Sequence, residues 1–216
     1  MARESIVDRD KLESCLSAVI FLGLFLYIWK GIEPPLLYYG FGVFATYPIV
    51  SLEGSFLRTT FSSPGGPLNA LAALLAQSYA YAWLGALVIT ALLGVLLLGI
   101  RRLLRSVQAA KFRDLAWVPL LLVLAIYSCY YENPLPVLLA VGLSVWTAVL
   151  YAALPGRTLP RRVGLFAVLF AVVYYLVGAT ALVFASITCL TEALLHRRIR
   201  PAVASSITCR SGLSVS

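Results

Sequence analysis

The chain has 216 residues, 61% hydrophobic and only 12% charged, and no water-soluble single domain has an interior large enough to hide that much apolar surface. The net charge of +8 does not indicate nucleic acid, because the basic clusters sit at the ends of apolar runs with no nucleic-acid motif beside them. Cys15, Cys129, Cys189 and Cys209 form no Cys-x-x-Cys pair and have no His at ligand spacing, so neither a metal nor another cofactor is indicated.

Apolar runs occur at about 14–30, 81–100, 115–131, 135–155 and 163–195. A bilayer core of about 30 Å needs about 17–25 helical residues per crossing. The first run lacks a small-residue cleavage site and reads as an uncleaved span.

Residues 31–80 come next, a long and mostly apolar segment expected on the outer side. Within it Pro34-Pro35 precedes "LLYYGFGVFATY", which Pro48 ends, marks that suit a re-entrant or surface helix. A full crossing over 36–52 is the alternative; it would place the N-terminus outside and move three basic residues to the wrong side. Pro64-Gly65-Gly66-Pro67 then supplies a turn with Pro at the first helical position, so a helix is predicted from about Pro67. Leu68, Leu71, Leu74 and Leu75 share one face of that helix and are expected in lipid. Asn69, Ala73, Ala76, Gln77 and Ala80 make the other face small or polar, suited to close packing on other helices.

Two hairpins are predicted beyond residue 115. One turns at "ENPLP" between spans 115–131 and 135–155. The last run is too long for one crossing, and Tyr174-Tyr175 and Gly178 in its middle suit a tight turn between spans at about 163–177 and 179–195. Six spans with an inner N-terminus leave 15 of the 17 Lys and Arg inside, with only Lys30 and Arg58 outside. Five spans would send Arg197, Arg198, Arg200 and Arg210 outside, so six is preferred. The predicted fold class is therefore all-α: a polytopic membrane domain over 1–200 with six spans, a re-entrant or surface segment between the first two, both termini cytoplasmic, and a disordered tail over 201–216.

The stretch "SPGGPLNALAALLAQSYAYAWLGALVIT", following "IEPPLLYYGFG", resembles a family of uncharacterised bacterial polytopic membrane proteins. The pattern is Pro-Gly-Gly, a helix carrying Gln, then Trp-x-Gly-Ala, met here by Pro64-Gly65-Gly66, Gln77, Trp83, Gly85 and Ala86. The resemblance implies a place in the bacterial cytoplasmic membrane and the cell envelope, with no established activity. Members of that group resemble longer chains with further spans, so this chain reads as a shortened version.

The outer side carries Glu33, Glu53 and Glu132 with Lys30 and Arg58. Boundary carboxylates need water or partners, and three facing one compartment could share a cleft. The layout is similar to integral-membrane glycosyltransferases that use polyprenyl-phosphate sugars. That likeness would make Glu33 a base, Glu132 or Glu53 its orienting partner, and Arg58 with the Gly65-Gly66 turn a phosphate clamp. His196 beside Arg197 and Arg198 reads as an interface anchor. The leading expectation is a noncatalytic envelope component or partner subunit. Its partners would be the bilayer and either other membrane proteins or a lipid-linked glycan. The alternatives are the glycosyltransferase-like enzyme and a transporter, the last disfavoured because the spans hold almost no charge.

Overall fold

The computed structural model describes residues 2–35, 58, 60–106, 114–128, 134–154 and 159–193. Glu53, Glu132, the segment 36–52 and the tail 201–216 lie outside the described residues. Among the described residues every regular element is helical, and the fold class is all-α. The main helices are α1 (Ala2–Tyr27), α2 (Gly66–Ala76), α3 (Ala82–Ser106), α4 (Trp117–Ser128), α5 (Pro134–Ala153), α6 (Leu159–Val177) and α7 (181–193).

Four runs are long and apolar enough to cross a membrane: Cys15–Ile32, Ala82–Ser106, Leu135–Ala153 and Pro160–Ala193. Asp114–Ile126 is apolar but shorter. The fourth run, 34 residues long, is not one straight rod. Val177 ends α6, Gly178 takes the left-handed φ of 70°, and a 3-10 turn (Gly178–Thr180) leads into α7. A glycine bears that conformation without a Cβ penalty. On the far side of this turn Arg162 meets Glu192 at 2.9 Å, and the Phe166 and Phe184 rings lie 5.8 Å apart. Both pairs straddle Gly178 almost symmetrically, so α6 and α7 run antiparallel as a hairpin.

The helices pack in two layers of core. In the first, Ile89, Leu93, Leu96 and Leu97 of α3 are buried against Ile28 and Ile32, Leu120 of α4, and Leu135, Leu138 and Val145 of α5. In the second, Ala140 and Ala148 on another side of α5 pack with Val173, Val177, Ala181 and Phe184 of the hairpin. The helices α3 and α5 share the most extensive interface, and Trp146 locks it by donating Nε1–H to the Val95 carbonyl at 3.1 Å. Many large apolar side chains remain exposed, among them Leu22, Leu121, Val168, Leu182 and Leu190, a surface compatible with insertion in a bilayer.

Chain direction follows from contacts at the two ends. At one end Tyr27 of α1 lies 3.3 Å from Ser128 of α4, and Pro34 sits where a side chain on Gly85 of α3 would go. At the other end the Arg101 guanidinium lies over the Trp117 ring at 5.3 Å. The ion pair of Arg162 with Glu192 also lies away from the Gly178 tip, beside Tyr151 near the end of α5.

The helix α2 begins at Gly66, one residue before the predicted start, and lies across the first of these ends. Of the predicted small face only Ala73 and Ala76 are buried, joined by Ala72, while Asn69, Gln77 and Ala80 stay exposed. Leu71 and Leu74 stay about half exposed, but Leu68 is buried with Val177 and Ala181 because the start of α2 is held on the hairpin tip.

Candidate functional site

The Pro-Gly-Gly turn is a structural joint between the stretch ahead of α2 and the last hairpin. Gly65 adopts a left-handed φ of 84° and donates its N–H to the Tyr175 carbonyl at 2.9 Å. The Gly66 N–H donates to Ser63 O at 3.0 Å, and the Tyr175 hydroxyl donates to the Phe61 carbonyl at 2.7 Å. The donors that an anion would use at Gly65 and Gly66 thus serve the protein's own carbonyls. A side chain at Gly66 would fall on the Thr60 carbonyl, so the second glycine is required by close backbone approach.

Glu33 lies where α1 stops. A π-helical turn over Ile28–Ile32 buries both isoleucines, and Glu33 follows exposed with φ 48°, ψ 79°. It is the one non-glycine with positive φ among the described residues, a conformation that costs a side-chain-bearing residue on the order of 1–2 kcal/mol. Lys30 turns back over the Trp29 ring at 4.7 Å. Pro34 packs where the α2–α3 junction brings Tyr79 and Gly85 together, so Glu33 belongs to the C-terminal end of α2. Gly65 and Gly66 belong to its N-terminal end. Those eleven residues of helix put about 16 Å between the two places. Arg58 is exposed on the stretch leading into the turn.

Under α2 lies an apolar groove of about 480 Å³. Pro67, Leu68 and Leu71 roof it, Leu92 and Val95 of α3 form one wall, and Leu138, Leu139, Gly142, Leu143 and Trp146 of α5 form the other. The hairpin closes a corner with Leu176.

At the opposite end a cavity of about 350 Å³ opens between the arms of the hairpin, lined by Tyr151, Arg162, Val163, Phe166, Thr188, Cys189 and Glu192. Arg162 Nη1 donates to Glu192 Oε1 at 2.9 Å and Oε2 at 3.0 Å, and the Tyr151 hydroxyl donates to Oε1 at 3.0 Å. The carboxylate is thereby held from both neighbouring helices. Charge counting used Arg162 only as a topological marker and passed over Glu192. The signal was present: a carboxylate inside an apolar run needs a partner, and the cation thirty residues earlier comes opposite it once Gly178 turns the chain. Among the described residues no group of three or more His, Cys, Asp or Glu side chains comes together as a metal site would require.

No curated protein and no solved structure matches this chain. A family model spans nearly the whole sequence: the chain belongs to the family of unknown function DUF6057, matched over residues 11–215.

Proposed function

We propose that the protein is a six-crossing integral membrane component of the bacterial cytoplasmic membrane, with both termini cytoplasmic, that binds or scaffolds rather than catalyses. In this reading α1, α3, α4, α5, α6 and α7 cross in turn and α2 stays at the outer boundary. The preference of Lys and Arg for cytoplasmic loops supports the orientation. The observation that carries the noncatalytic role is the Tyr151–Arg162–Glu192 cluster, whose charged groups bond one another and tie three helices together. Polar groups spent in this way hold a shape.

A second reading, an enzyme acting on lipid-linked sugars at the outer face, is favoured by one observation. Glu33 holds a backbone conformation rare for its residue type, and such positions collect at functional sites. On that reading Glu33 is the base, Glu132 or Glu53 orients it, and Arg58 faces the phosphate without Gly65 and Gly66, whose N–H groups are bonded to Tyr175 O and Ser63 O. The substrate would extend along α2.

Single replacements Glu33→Gln, Glu53→Gln and Glu132→Gln separate the two readings. The binding role expects each variant to keep the wild-type cellular phenotype and the same co-purifying proteins. Loss of the phenotype in one variant, with protein level and partners unchanged, overturns that role in favour of catalysis.

A further inference from the structure

We propose that the open groove between α1 and α3 seats an anionic phospholipid, with its phosphate on Arg101 and Arg105 and an acyl chain along the apolar length of α3. The inference rests on the integral-membrane reading and names a ligand for the binding role.

The groove has a volume of about 600 Å³. Two contacts give its direction. Phe21 lies 3.6 Å from the place a Cβ would take on Gly94, and Pro34 stands at the same place beside Gly85, so α1 and α3 run antiparallel. Ser17 and Arg101 therefore mark one end of the lining, and Phe25 and Leu87 the other. Along α3, Leu87 and Arg101 are separated by about 21 Å of helix. One leaflet with its headgroups is about 20–22 Å deep, so the groove matches the height of a single lipid.

Polarity along the groove is ordered in the same direction. Leu87, Ala91, Gly94, Leu98, Arg101 and Arg105 recur at alternating spacings of four and three, which puts them on one stripe of α3. The first four are apolar or small, and the last two are cations. Leu87 and Leu98 are exposed, as is Leu22 on the α1 side, so the apolar length stands open to hydrocarbon. Thr90 lies within that length and spends its hydroxyl on the Ala86 carbonyl at 2.7 Å. The Arg101 guanidinium itself lines the groove and stacks on the Trp117 ring at 5.3 Å, which holds it at this end. Stacking uses the face of the guanidinium plane, and a phosphate uses its N–H edges, so one arginine serves both. Arg105, one turn further on, is exposed.

This order chooses the occupant. A neutral lipid gains nothing from the two guanidiniums. A partner helix would need an acidic side chain at one level and an apolar face along the rest. A phospholipid with a net negative headgroup supplies anion and hydrocarbon in the sequence in which the stripe presents cation and apolar wall. Basic sites between helices at the cytoplasmic surface take such headgroups, and the arginine end is cytoplasmic in the proposed orientation.

The test is native mass spectrometry of the full chain in detergent, given equal amounts of phosphatidylglycerol and phosphatidylcholine with identical acyl chains. A basic residue near a membrane surface favours an anionic lipid by about fivefold, so phosphatidylglycerol should lead as the first bound lipid by about tenfold or more. Arg101→Gln and Arg105→Gln should each cut that lead by about fivefold, and Arg101→Lys, which keeps the charge, by about twofold at most. Arg102→Gln, whose guanidinium is off the stripe and over the Trp146 ring at 5.5 Å, should leave it unchanged. Phosphatidylglycerol carrying a diazirine midway along one acyl chain then places the lipid in vesicles. Adducts are expected at residues 18–25 and 87–98 about threefold or more above those at exposed Leu182 and Leu190. Gly94→Leu, which fills the groove, should remove that excess. Equal binding of the two lipids, or a lead that Arg102→Gln lowers as much as Arg105→Gln, overturns the proposal while the membrane reading stands. Adducts with no excess in the groove do the same, and so does a lipid-free dimer that Gly94→Leu breaks, which assigns the groove to a second copy. No labelling on any helix would sink the membrane reading itself. None of these outcomes touches the phenotype of the Glu variants, which judges the noncatalytic role.

Discussion

Taking apart the clamp between the arms of the last hairpin tests the fold where it departs most from simple hydropathy. On a continuous helix, Arg162 and Glu192 would stand about 45 Å apart and could not couple. Folded at Gly178, they meet at 2.9 and 3.0 Å. Two unit charges 4 Å apart attract by about 4 kcal/mol at an effective dielectric near 20. Side-chain exposures of 38% and 24% leave both groups partly solvated, which draws the value toward the ~1 kcal/mol ceiling of exposed pairs. A coupling energy of about 1–2 kcal/mol is therefore expected between Arg162→Ala and Glu192→Gln in a double-mutant cycle. Tyr151→Phe removes one hydroxyl bond to a charged acceptor and should cost about 1.5 kcal/mol on its own. At roughly 2–4 °C per kcal/mol for a chain of this size, the coupling corresponds to about 2–8 °C in Tm. Thermal unfolding in lipid nanodiscs, followed by tryptophan fluorescence, reads it. Single effects that add within about 0.3 kcal/mol would refute the hairpin and with it the antiparallel packing of α6 on α7.

Glycine replacements at the joint should rank by geometry. Gly65→Ala and Gly178→Ala each force a methyl-bearing residue into left-handed backbone and should cost about 1–2 kcal/mol. Gly66→Ala should cost more because its Cβ meets the Thr60 carbonyl; thermal unfolding in nanodiscs that ranked Gly66→Ala mildest would contradict the close approach. Sidedness is checked in a background with Cys15, Cys129, Cys189 and Cys209 replaced. Ser62→Cys should react with an impermeant maleimide from outside intact cells, and Arg161→Cys only after permeabilisation. The reverse pattern would invert the orientation.

Much of the helical plan was legible because hydrophobic runs bounded by Arg, Pro and Gly leave few choices. The turn at Gly178 was readable from a run too long for one crossing with a Tyr-Tyr-x-x-Gly at its centre, and the start of α2 from Pro at its first turn. The span boundaries near 81–100 and 135–155 fall within one to six residues of α3 and α5. What sequence could not supply was partnership. Nothing local tells Gly65 that its N–H will meet Tyr175, or Trp146 that it will reach Val95, since these contacts cross 110 and 51 residues of chain. Leu68 illustrates the same gap: its spacing puts it with Leu71 and Leu74, yet docking on Val177 takes it out of their exposed stripe.

The shortness of α2 ties these pieces together. Eleven residues make about 16 Å of helix, half of a bilayer core, so α2 cannot cross one. In or near hydrocarbon its unpaired backbone ends would each be costly. The chain meets that cost locally. At the N-terminal end Gly66 and Asn69 donate to Ser63 O and Gly65 O. At the C-terminal end the Gln77 N–H reaches Leu74 O, and Ser78 Oγ donates to Leu75 O at 2.6 Å. With its ends satisfied, the helix can lie flat and offer leucines on its underside as a roof. The N-terminal end of that roof is fastened to the hairpin tip by the Gly65–Tyr175 bond, so the strain of Gly178→Ala is expected to loosen α2 along with the hairpin.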